Sequence, residues 1–243
     1  MIKYSIIIPT LNEEKLLPQL LQVLTENDLK IKYNFEIIIS DGGSTDKTIE
    51  IAEKYADKII KHDPKIPQNI AQGRNVGAHA ASGEILIFYN GDILPDNMNL
   101  VFNTIDAKFA NSSFLAMTCC VKVFEDEQKF VDLVFQTFYN YYFHLLNIIG
   151  LGMGRGECHI VKNNIFKEFN GYDENLAAGE DFDLYKRIRK KGKILFARNL
   201  VVFESPRRYR KLGHFRIFFT WLINSVYIIF AKKSKSTEWK EVR

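Results

Sequence analysis

Four short segments of this chain place carboxylate, amide or guanidinium groups beside glycine, where polar side chains and open backbone can meet a ligand. They are Asp41-Gly-Gly-Ser-Thr-Asp46, Gln72-Gly-Arg-Asn-Val-Gly77, Asn90-Gly-Asp92 and Gly179-Glu-Asp-Phe-Asp183. Each segment alone also fits a plain turn or helix start. The argument for chemistry therefore depends on where the fold brings the four together.

The first and third segments follow short apolar runs. A carboxylate such as Asp41 at a strand end can accept hydrogen bonds from a base or a ribose. Asp92 can ligate a hard cation, which usually keeps waters and bridges to ligand phosphates. The alternatives are an ordinary turn at 90–92 and, at 41–46, a turn in which Ser44 or Thr45 caps the next helix.

The other two segments carry a cation and a possible base. Arg74 could form two parallel hydrogen bonds with a diphosphate, or it could be a solvated surface arginine. Asp181 shares a helical face with Leu184. A carboxylate on the inward-facing side of a first helical turn is unusual unless something needs it, and a base that deprotonates a hydroxyl is one such need. A carboxylate that only stabilises the helix dipole suits Glu180 or Asp183 better.

Alternating strands and helices must position these segments. Periodicity in 16–24 and 49–56 predicts helices, and nearly continuous apolar runs predict buried strands. This βαβα order predicts an α/β fold with a mostly parallel sheet, which binds ligands at the carboxyl ends of its strands. The predicted strands of the first half are Tyr4–Pro9, Phe35–Ser40, Lys58–Lys61 and Glu84–Tyr89. In the second half we predict strands at 115–123 and 193–203, helices at 131–149 and 180–191, and a glycine-rich loop at 150–156.

Composition narrows the class of protein. The 243 residues are 47% hydrophobic and 26% charged, as in an ordinary globular domain. A net charge of +4 does not argue for nucleic acid as a partner. The three cysteines lack a CxxC pair, which argues against a disulfide framework and a zinc site. The chain begins without a signal-peptide pattern, so we expect a cytoplasmic location.

Together the segments resemble glycosyltransferase family 2, whose members are inverting enzymes with the GT-A fold. The resemblance runs from residue 2 to about 210. It rests on Ser5-Ile-Ile-Ile-Pro-Thr-Leu-Asn-Glu-Glu14, Glu36-Ile-Ile-Ile-Ser-Asp-Gly-Gly-Ser-Thr-Asp46, Gly73-Arg-Asn-Val-Gly77, Asn90-Gly-Asp92 and Gly179-Glu-Asp181.

The resemblance implies a Rossmann-like sheet flanked by helices and transfer of a sugar from a nucleoside-diphosphate sugar to an acceptor hydroxyl. It implies Asp181 as the catalytic base and Mn²⁺ or Mg²⁺ held at Asp92. Asn90 departs from the family's Asp-x-Asp, so we expect a metal bound chiefly by Asp92 and the donor's phosphates, and weakly without donor. The donor site would comprise Pro9, Thr10, Glu13, Asp41, Gly73, Arg74, Asn90 and Gly91. The acceptor side would include Glu180, His159, Arg207 and Arg208.

We divide the chain into a GT-A domain, 1–211, and a C-terminal extension, 212–243. Residues 1–110 form its nucleotide-sugar half and 111–211 its acceptor half. The apolar stretch 215–231 has basic flanks and is shorter than the roughly 20 residues of a spanning helix. It could pack on the aromatic helix at 131–149 or form a homodimer. It could also hold the chain on an anionic membrane surface, at the inner face, where a glycolipid or lipid-linked acceptor of the cell envelope would be reached.

Rival classes fit less well. A nucleotidyltransferase would carry a basic, glycine-rich loop after the first strand, where this chain has the acidic Pro9-Thr-Leu-Asn-Glu13. A nicotinamide dehydrogenase needs GxGxxG after a strand, but residues 150–156 read GxGxGxG and follow a helix. A non-catalytic nucleotide-sugar-binding protein remains open because Asn90 weakens the metal site.

Overall fold

A computed structural model describes residues 2–176 and 178–231, with the side chains of the last helix described as far as Asn224 and at Tyr227. Over these residues the chain forms one eight-stranded mixed sheet in the order β3-β2-β1-β4-β7-β6-β8-β5. The strands are β1 (Tyr4–Thr10), β2 (Phe35–Asp41), β3 (Lys58–Lys61), β4 (Ile85–Tyr89), β5 (Ile93–Pro95), β6 (Phe114–Val123), β7 (Cys158–Lys162) and β8 (Lys193–Glu204).

Helices cover both faces of this sheet. They are α1 (Leu17–Thr25), α2 (Leu29–Tyr33), α3 (Thr48–Ala52), α4 (Ile70–His79), α5 (Met98–Thr104), α6 (Phe130–Ile148), α7 (Asn163–Glu168), α8 (Glu180–Lys191), α9 (Arg207–Leu212) and α10 (His214–Ala231). A 3₁₀ turn, Glu26–Asp28, separates α1 from α2, and a π-helical segment, Ile105–Ala110, follows α5.

The parallel half of the sheet brings the first functional segments together. Strand β1 pairs in parallel with both β2 and β4, and Thr10 at its end lies opposite Asp41. Because the strands run the same way, their carboxyl ends meet at one edge, as the sequence predicted. The predicted α/β fold with a mostly parallel sheet is confirmed.

The strands of this half contribute side chains to two hydrophobic clusters, one on each face of the sheet. Ile6 and Ile8 belong to the hydrophobic cluster that includes the leucines of α1, whereas Ile7 points to the opposite cluster with α7 and α8. Helix α4 packs closely on β1 because Gly77 lacks a side chain, since a Cβ there would lie 2.5 Å from Cγ2 of Ile7. This close approach fixes α4, and with it Arg74, against the sheet.

The second half departs from simple βαβα order. Strand β7 runs antiparallel to both β4 and β6, while β6 and β8 are parallel to each other. Gly192 follows α8, whose predicted end at residue 191 is thus found, and its φ of −163° is ordinary extended backbone. A Cβ at Gly192 would lie 2.6 Å from Cδ1 of Leu115, so close packing accounts for the glycine.

Helices α6, α9 and α10 form an added layer held by one buried carboxylate. Asp132 of α6 accepts hydrogen bonds from Arg210 Nη1 at 2.8 Å and pairs with His214 Nε2 at 2.7 Å. Burial raises the pKa of Asp132, but the hydrogen bonds from Arg210, the Lys129 backbone and His214 outweigh it and lower that pKa to about 2. Tyr139 packs edge-on against Trp221, with ring centroids 5.1 Å apart.

Within residues 2–176 and 178–231, none of the helices has both the length and the apolarity needed to cross a membrane. The basic residues Lys232, Lys233 and Lys235, which we placed after the apolar stretch, lie outside the described residues.

Candidate active site

A cavity of about 960 Å³ opens where the carboxyl ends of β1, β2 and β4 face the first turn of α8. It gathers most of the residues that the sequence singled out, from segments far apart in the chain. The predicted residues that line it are Pro9, Thr10, Glu13, Gly73, Arg74, Asn90, Gly91, Asp92, Glu180, Asp181, Arg207 and Arg208.

Asp41 is not among the residues that line this cavity. Its carboxylate accepts hydrogen bonds from the backbone N–H groups of Gly43 and Ser44, at 2.9 and 2.8 Å, and from the hydroxyl of Thr10 at 3.1 Å. The Ser44 hydroxyl also donates to Asp41, so Ser44 does not cap the next helix. Asp41 therefore shapes the turn beside the cavity, next to Thr10, which lines it.

His159 also departs from its predicted place on the acceptor side. The imidazole is fully buried under the site, and its Nδ1 lies 2.8 Å from the hydroxyl of Tyr172. Burial, and to a lesser degree the charge of Arg74, lowers the pKa of His159 well below its ordinary value. His159 is a core residue and is not part of the cavity lining.

The buried side chain of Arg74 connects the two halves of the chain through hydrogen bonds. Only 1% of its surface is exposed, which excludes the alternative of a solvated surface arginine. Its guanidinium donates to Glu180 Oε1 at 2.6 Å, to Asn90 Oδ1 at 3.0 Å and to the carbonyl of Gly156 at 2.7 Å. The carboxylate of Glu180 thus serves as the partner of Arg74, whereas the sequence placed Glu180 on the acceptor side.

Asp181 stands next in the same helical turn and faces the cavity. Burial and the neighbouring charge of Glu180 raise its pKa from 3.8 to about 7, against the opposing effect of Arg74. A Cβ at Gly156 would lie 3.1 Å from Asp181 Oδ2, so the absence of a side chain there leaves the carboxylate open. A carboxylate with this pKa can accept a proton near neutral pH.

Glu13 and Asp92, which both line the cavity, pair with the same arginine, Arg207. Nη2 of Arg207 lies 2.7 Å from Glu13 Oε1 and 2.8 Å from Asp92 Oδ2. The two carboxylates offer the oxygen ligands that Mn²⁺ and Mg²⁺ prefer, so this pair fits a divalent cation. Among the described residues, no group of three or more His, Cys, Asp or Glu side chains is arranged to hold a metal. The sequence placed Arg207 on the acceptor side, and the structure places it against Glu13 and Asp92.

The sequence argument missed one wall of the cavity. Aromatic side chains of α6 and α10 close the side away from the strand ends: Phe138, Tyr139, Tyr142, Phe143, Phe218 and Trp221. The density of aromatic residues in 131–149 was visible in the sequence. Helical periodicity alone could not show that this helix faces the site.

A buried charged cluster in the cavity lining, formed by Arg155, Glu157 and Glu204, was also missed. Arg155 is 1% exposed and lies 3.3 Å from Glu157 Oε2 through Nε, and it donates to Gln136 Oε1 at 2.9 Å. Burial and Glu157 raise the pKa of Glu204 well above its ordinary value, although Arg155 opposes them. Glu157 directly precedes β7 and Glu204 ends β8, so no local motif could reveal that they meet.

Known proteins resemble this chain in both sequence and fold. It is 37% identical over 95 residues to the poly(ribitol-phosphate) beta-N-acetylglucosaminyltransferase TarS of Staphylococcus aureus, which covers 38% of this chain and 16% of the relative. It is 25% identical over 199 residues to an uncharacterized glycosyltransferase of Haemophilus influenzae, which covers 76% of this chain and 61% of the relative. The chain thus spans only part of the length of these relatives.

Solved structures share the fold at low sequence identity. A mannosyltransferase from Pyrobaculum calidifontis in complex with GDP-Man and Mn²⁺ superposes with a TM-score of 0.69 at 19% identity, over 90% of this chain and 64% of that one. Glucosyl-3-phosphoglycerate synthase from Mycobacterium tuberculosis, with Mn²⁺, UDP and phosphoglyceric acid, superposes at 0.64 and 15% identity, over 95% and 78%. The sequence model of glycosyl transferase family 2 matches residues 5–131, more than half of the chain. The chain therefore belongs to glycosyl transferase family 2.

Proposed function

We propose that this chain transfers a sugar from a nucleoside-diphosphate sugar to an acceptor hydroxyl, with inversion at the anomeric carbon. Residues 1–110 would bind the donor, and 111–211 would bind the acceptor. The observation that carries the proposal is the position of Asp181, whose pKa of about 7 suits a base, across one cavity from the strand ends. Relatives solved with GDP-Man and Mn²⁺, or with UDP-GlcNAc, support the donor class.

Asp181 accepts the proton of the acceptor hydroxyl in this proposal. The hydroxyl oxygen then bonds to the anomeric carbon as the bond to the diphosphate breaks on the opposite face, and that single displacement inverts the centre. Arg74 supplies a fixed positive charge beside the leaving diphosphate. Its own hydrogen bonds to Asn90 and Glu180 keep it in place.

Asp92, with Glu13 beside it, would hold the divalent cation. When bound, such a cation supplies positive charge that offsets the charge of a departing diphosphate. Asn90 adds no negative charge, and its oxygen already accepts a hydrogen bond from Arg74.

A panel of UDP-sugars and GDP-sugars with MnCl₂ tests the donor assignment. A true donor should raise the melting temperature of the chain by mass action. The stabilising sugar nucleotide should then transfer its sugar to an added acceptor, with inverted anomeric configuration by NMR. Absence of stabilisation by every member of the panel, or a retained configuration, would contradict the proposal.

We also propose that the acceptor is lipid-linked and reached at an anionic membrane surface. The aromatic wall of the cavity continues into an exposed apolar face on α6 and α10. Lys211, the exposed lysine at the end of the basic flank at 207–211, would meet anionic headgroups while this face enters the interface. The exposed apolar face consists of Phe130, Val131, Leu133, Val134, Phe138, Tyr141, Tyr142, Leu145, Ile148, Phe215, Phe219, Leu222, Ile223 and Tyr227.

Flotation with phosphatidylglycerol-containing vesicles tests this surface. Phe215 and Phe219 are 83% and 55% exposed, so a Phe215→Ser, Phe219→Ser variant should float less than the wild type. Ile31→Ser is the matched control, because Ile31 is 82% exposed on α2, away from this face. Equal flotation of all three proteins would contradict the membrane proposal. If the wild type is a dimer that does not float, and the Phe215→Ser, Phe219→Ser variant is a monomer, the face is a homodimer interface instead.

A further inference from the structure

The positive charge between Glu13 and Asp92 is the guanidinium of Arg207, a side chain of the chain itself. Arg207 donates from both terminal nitrogens, with Nη1 at 3.2 Å from Glu13 Oε2 and Nη2 shared between Glu13 Oε1 and Asp92 Oδ2. Its side chain is only 25% exposed. A guanidinium in this arrangement makes strong charge-assisted hydrogen bonds.

Strand pairing places Arg207 beside Glu13, although the two residues lie 194 positions apart in the sequence. Strand β5 pairs with β8 so that Ile93 lies opposite Glu204, and the N–H of Ser205 donates to the carbonyl of Asp92 at 3.3 Å. Arg207 begins α9 two residues later. On the other side, a Cβ at Gly91 would lie 3.2 Å from Glu13 Cγ, which shows how closely Glu13 approaches the Asp92 loop.

We infer that Arg207 occupies the cation position between Glu13 and Asp92 in the donor-free protein and must leave it before a divalent cation binds. The inference rests on the proposed function for its biological meaning, but it concerns the binding of a metal, which can be measured without any sugar transfer. Arg207 thus competes with the metal and suppresses metal binding until the donor arrives.

Charge balance explains why the donor would release this competition. Glu13, Asp92 and Arg207 together carry one net negative charge. A divalent cation alone reverses that sign with Arg207 still nearby, whereas a cation together with a sugar diphosphate, which carries two negative charges, restores it. The displaced guanidinium can then pair with phosphate oxygens. Metal and donor should therefore bind cooperatively, and each should raise the affinity for the other.

Titration of MnCl₂ into the donor-free full chain tests the inference, with free Mn²⁺ followed by electron paramagnetic resonance. Arg207→Met should bind Mn²⁺ at least about ten-fold more tightly than the wild type, because two carboxylates lose their resident cation. Arg198→Met is the control. It removes an exposed arginine of β8 that does not line the cavity, and should leave the affinity unchanged. Adding Asp92→Asn to Arg207→Met should abolish the gain.

Arg207→Lys guards against a folding defect in the methionine variant. Lysine keeps the charge but loses the fork that reaches both carboxylates, so it should give a smaller gain in Mn²⁺ affinity. Mn²⁺ binding that is unchanged or undetectable in both folded variants would overturn the inference. Tighter Mn²⁺ binding without transfer from any sugar nucleotide would leave the inference standing and count against the proposed function alone.

Discussion

The two sides of the cavity are built in different ways. On the side of the strand ends, charged groups are paired with one another: Arg74 pairs with Glu180, and Arg207 pairs with Glu13 and Asp92. On the other side, α6 and α10 present aromatic rings to the cavity and apolar side chains to the solvent. A network of paired charges holds its geometry before any ligand arrives, whereas an apolar wall selects by shape and contact area. In the proposed function, donor binding would therefore depend on charge pairs that hold or exchange their partners, and acceptor preference would depend on the apolar helices.

Replacing Asp181, the proposed base between the two sides of the cavity, should give the largest effect. Asp181→Asn should lower the transfer rate by about 10²–10⁴-fold, the usual contribution of a general base, because an amide cannot accept the proton. Donor binding, measured by calorimetry, should change little. Asp183→Asn is the control, since Asp183 pairs with Arg187 in the same helix and does not line the cavity. Unchanged transfer by Asp181→Asn would exclude Asp181 as the base, whereas donor binding without transfer by the wild type would favour a binding protein without catalysis.

The paired charges of the donor side should be costly to break. Arg74→Met leaves the carboxylate of Glu180 buried without its cation, which should lower the free energy of unfolding by about 3–5 kcal/mol in urea titrations. Lys61→Met, which breaks an exposed pair with Glu53, should change it by less than about 0.5 kcal/mol. The double variant Arg74→Met, Glu180→Met should recover much of the loss. Similar stability of Arg74→Met and wild type would show that the Arg74–Glu180 pair does not stabilise the fold.

The pH dependence should report the same carboxylate. Since the pKa of Asp181 is raised to about 7, kcat/KM should rise about ten-fold per pH unit below that value and level off above it. The folded state binds this proton more tightly than the unfolded chain, so Asp181 should also lower stability as the pH rises from about 4 to about 7. Asp181→Asn should remove that loss of stability. A profile of kcat/KM that stays flat from pH 5.5 to pH 8.5 would exclude Asp181 as the base.

The apolar wall should show the smallest effect, and only towards the acceptor. Phe138→Ala and Tyr142→Ala should reduce the preference for an alkyl glycoside over the free sugar by about ten-fold or less, because each removes part of an apolar contact. Donor affinity should stay constant. Tyr141→Ala is the control, as Tyr141 lies on the same helix but not on the cavity. Equal losses in all three variants would mean that the wall does not discriminate acceptors.

Local features of the chain were readable from the sequence. Apolar runs predicted β1 to β4 because parallel strands are buried on both faces, and the helix predicted at 180–191 begins and ends where α8 does. Asn90-Gly-Asp92 could be placed at the site because it follows β4, where parallel topology puts it at the carboxyl edge of the sheet. Gly179-Glu-Asp181 was placed there by its helical spacing and by the family resemblance. The fold class and the family were therefore determined by the sequence.

Only the tertiary structure determined which charged side chains pair with each other. Arg207 meets Glu13 from 194 positions away, and Arg74 meets Glu180 from 106 positions away, through strand pairing and helix packing that no local pattern records. For the same reason Asp41 became the support of a turn and His159 a core residue, although both stand in or near motifs. A sequence specifies which side chains reach the edge of the sheet, but the packing of distant elements determines which of them face the cavity and which are used to build it.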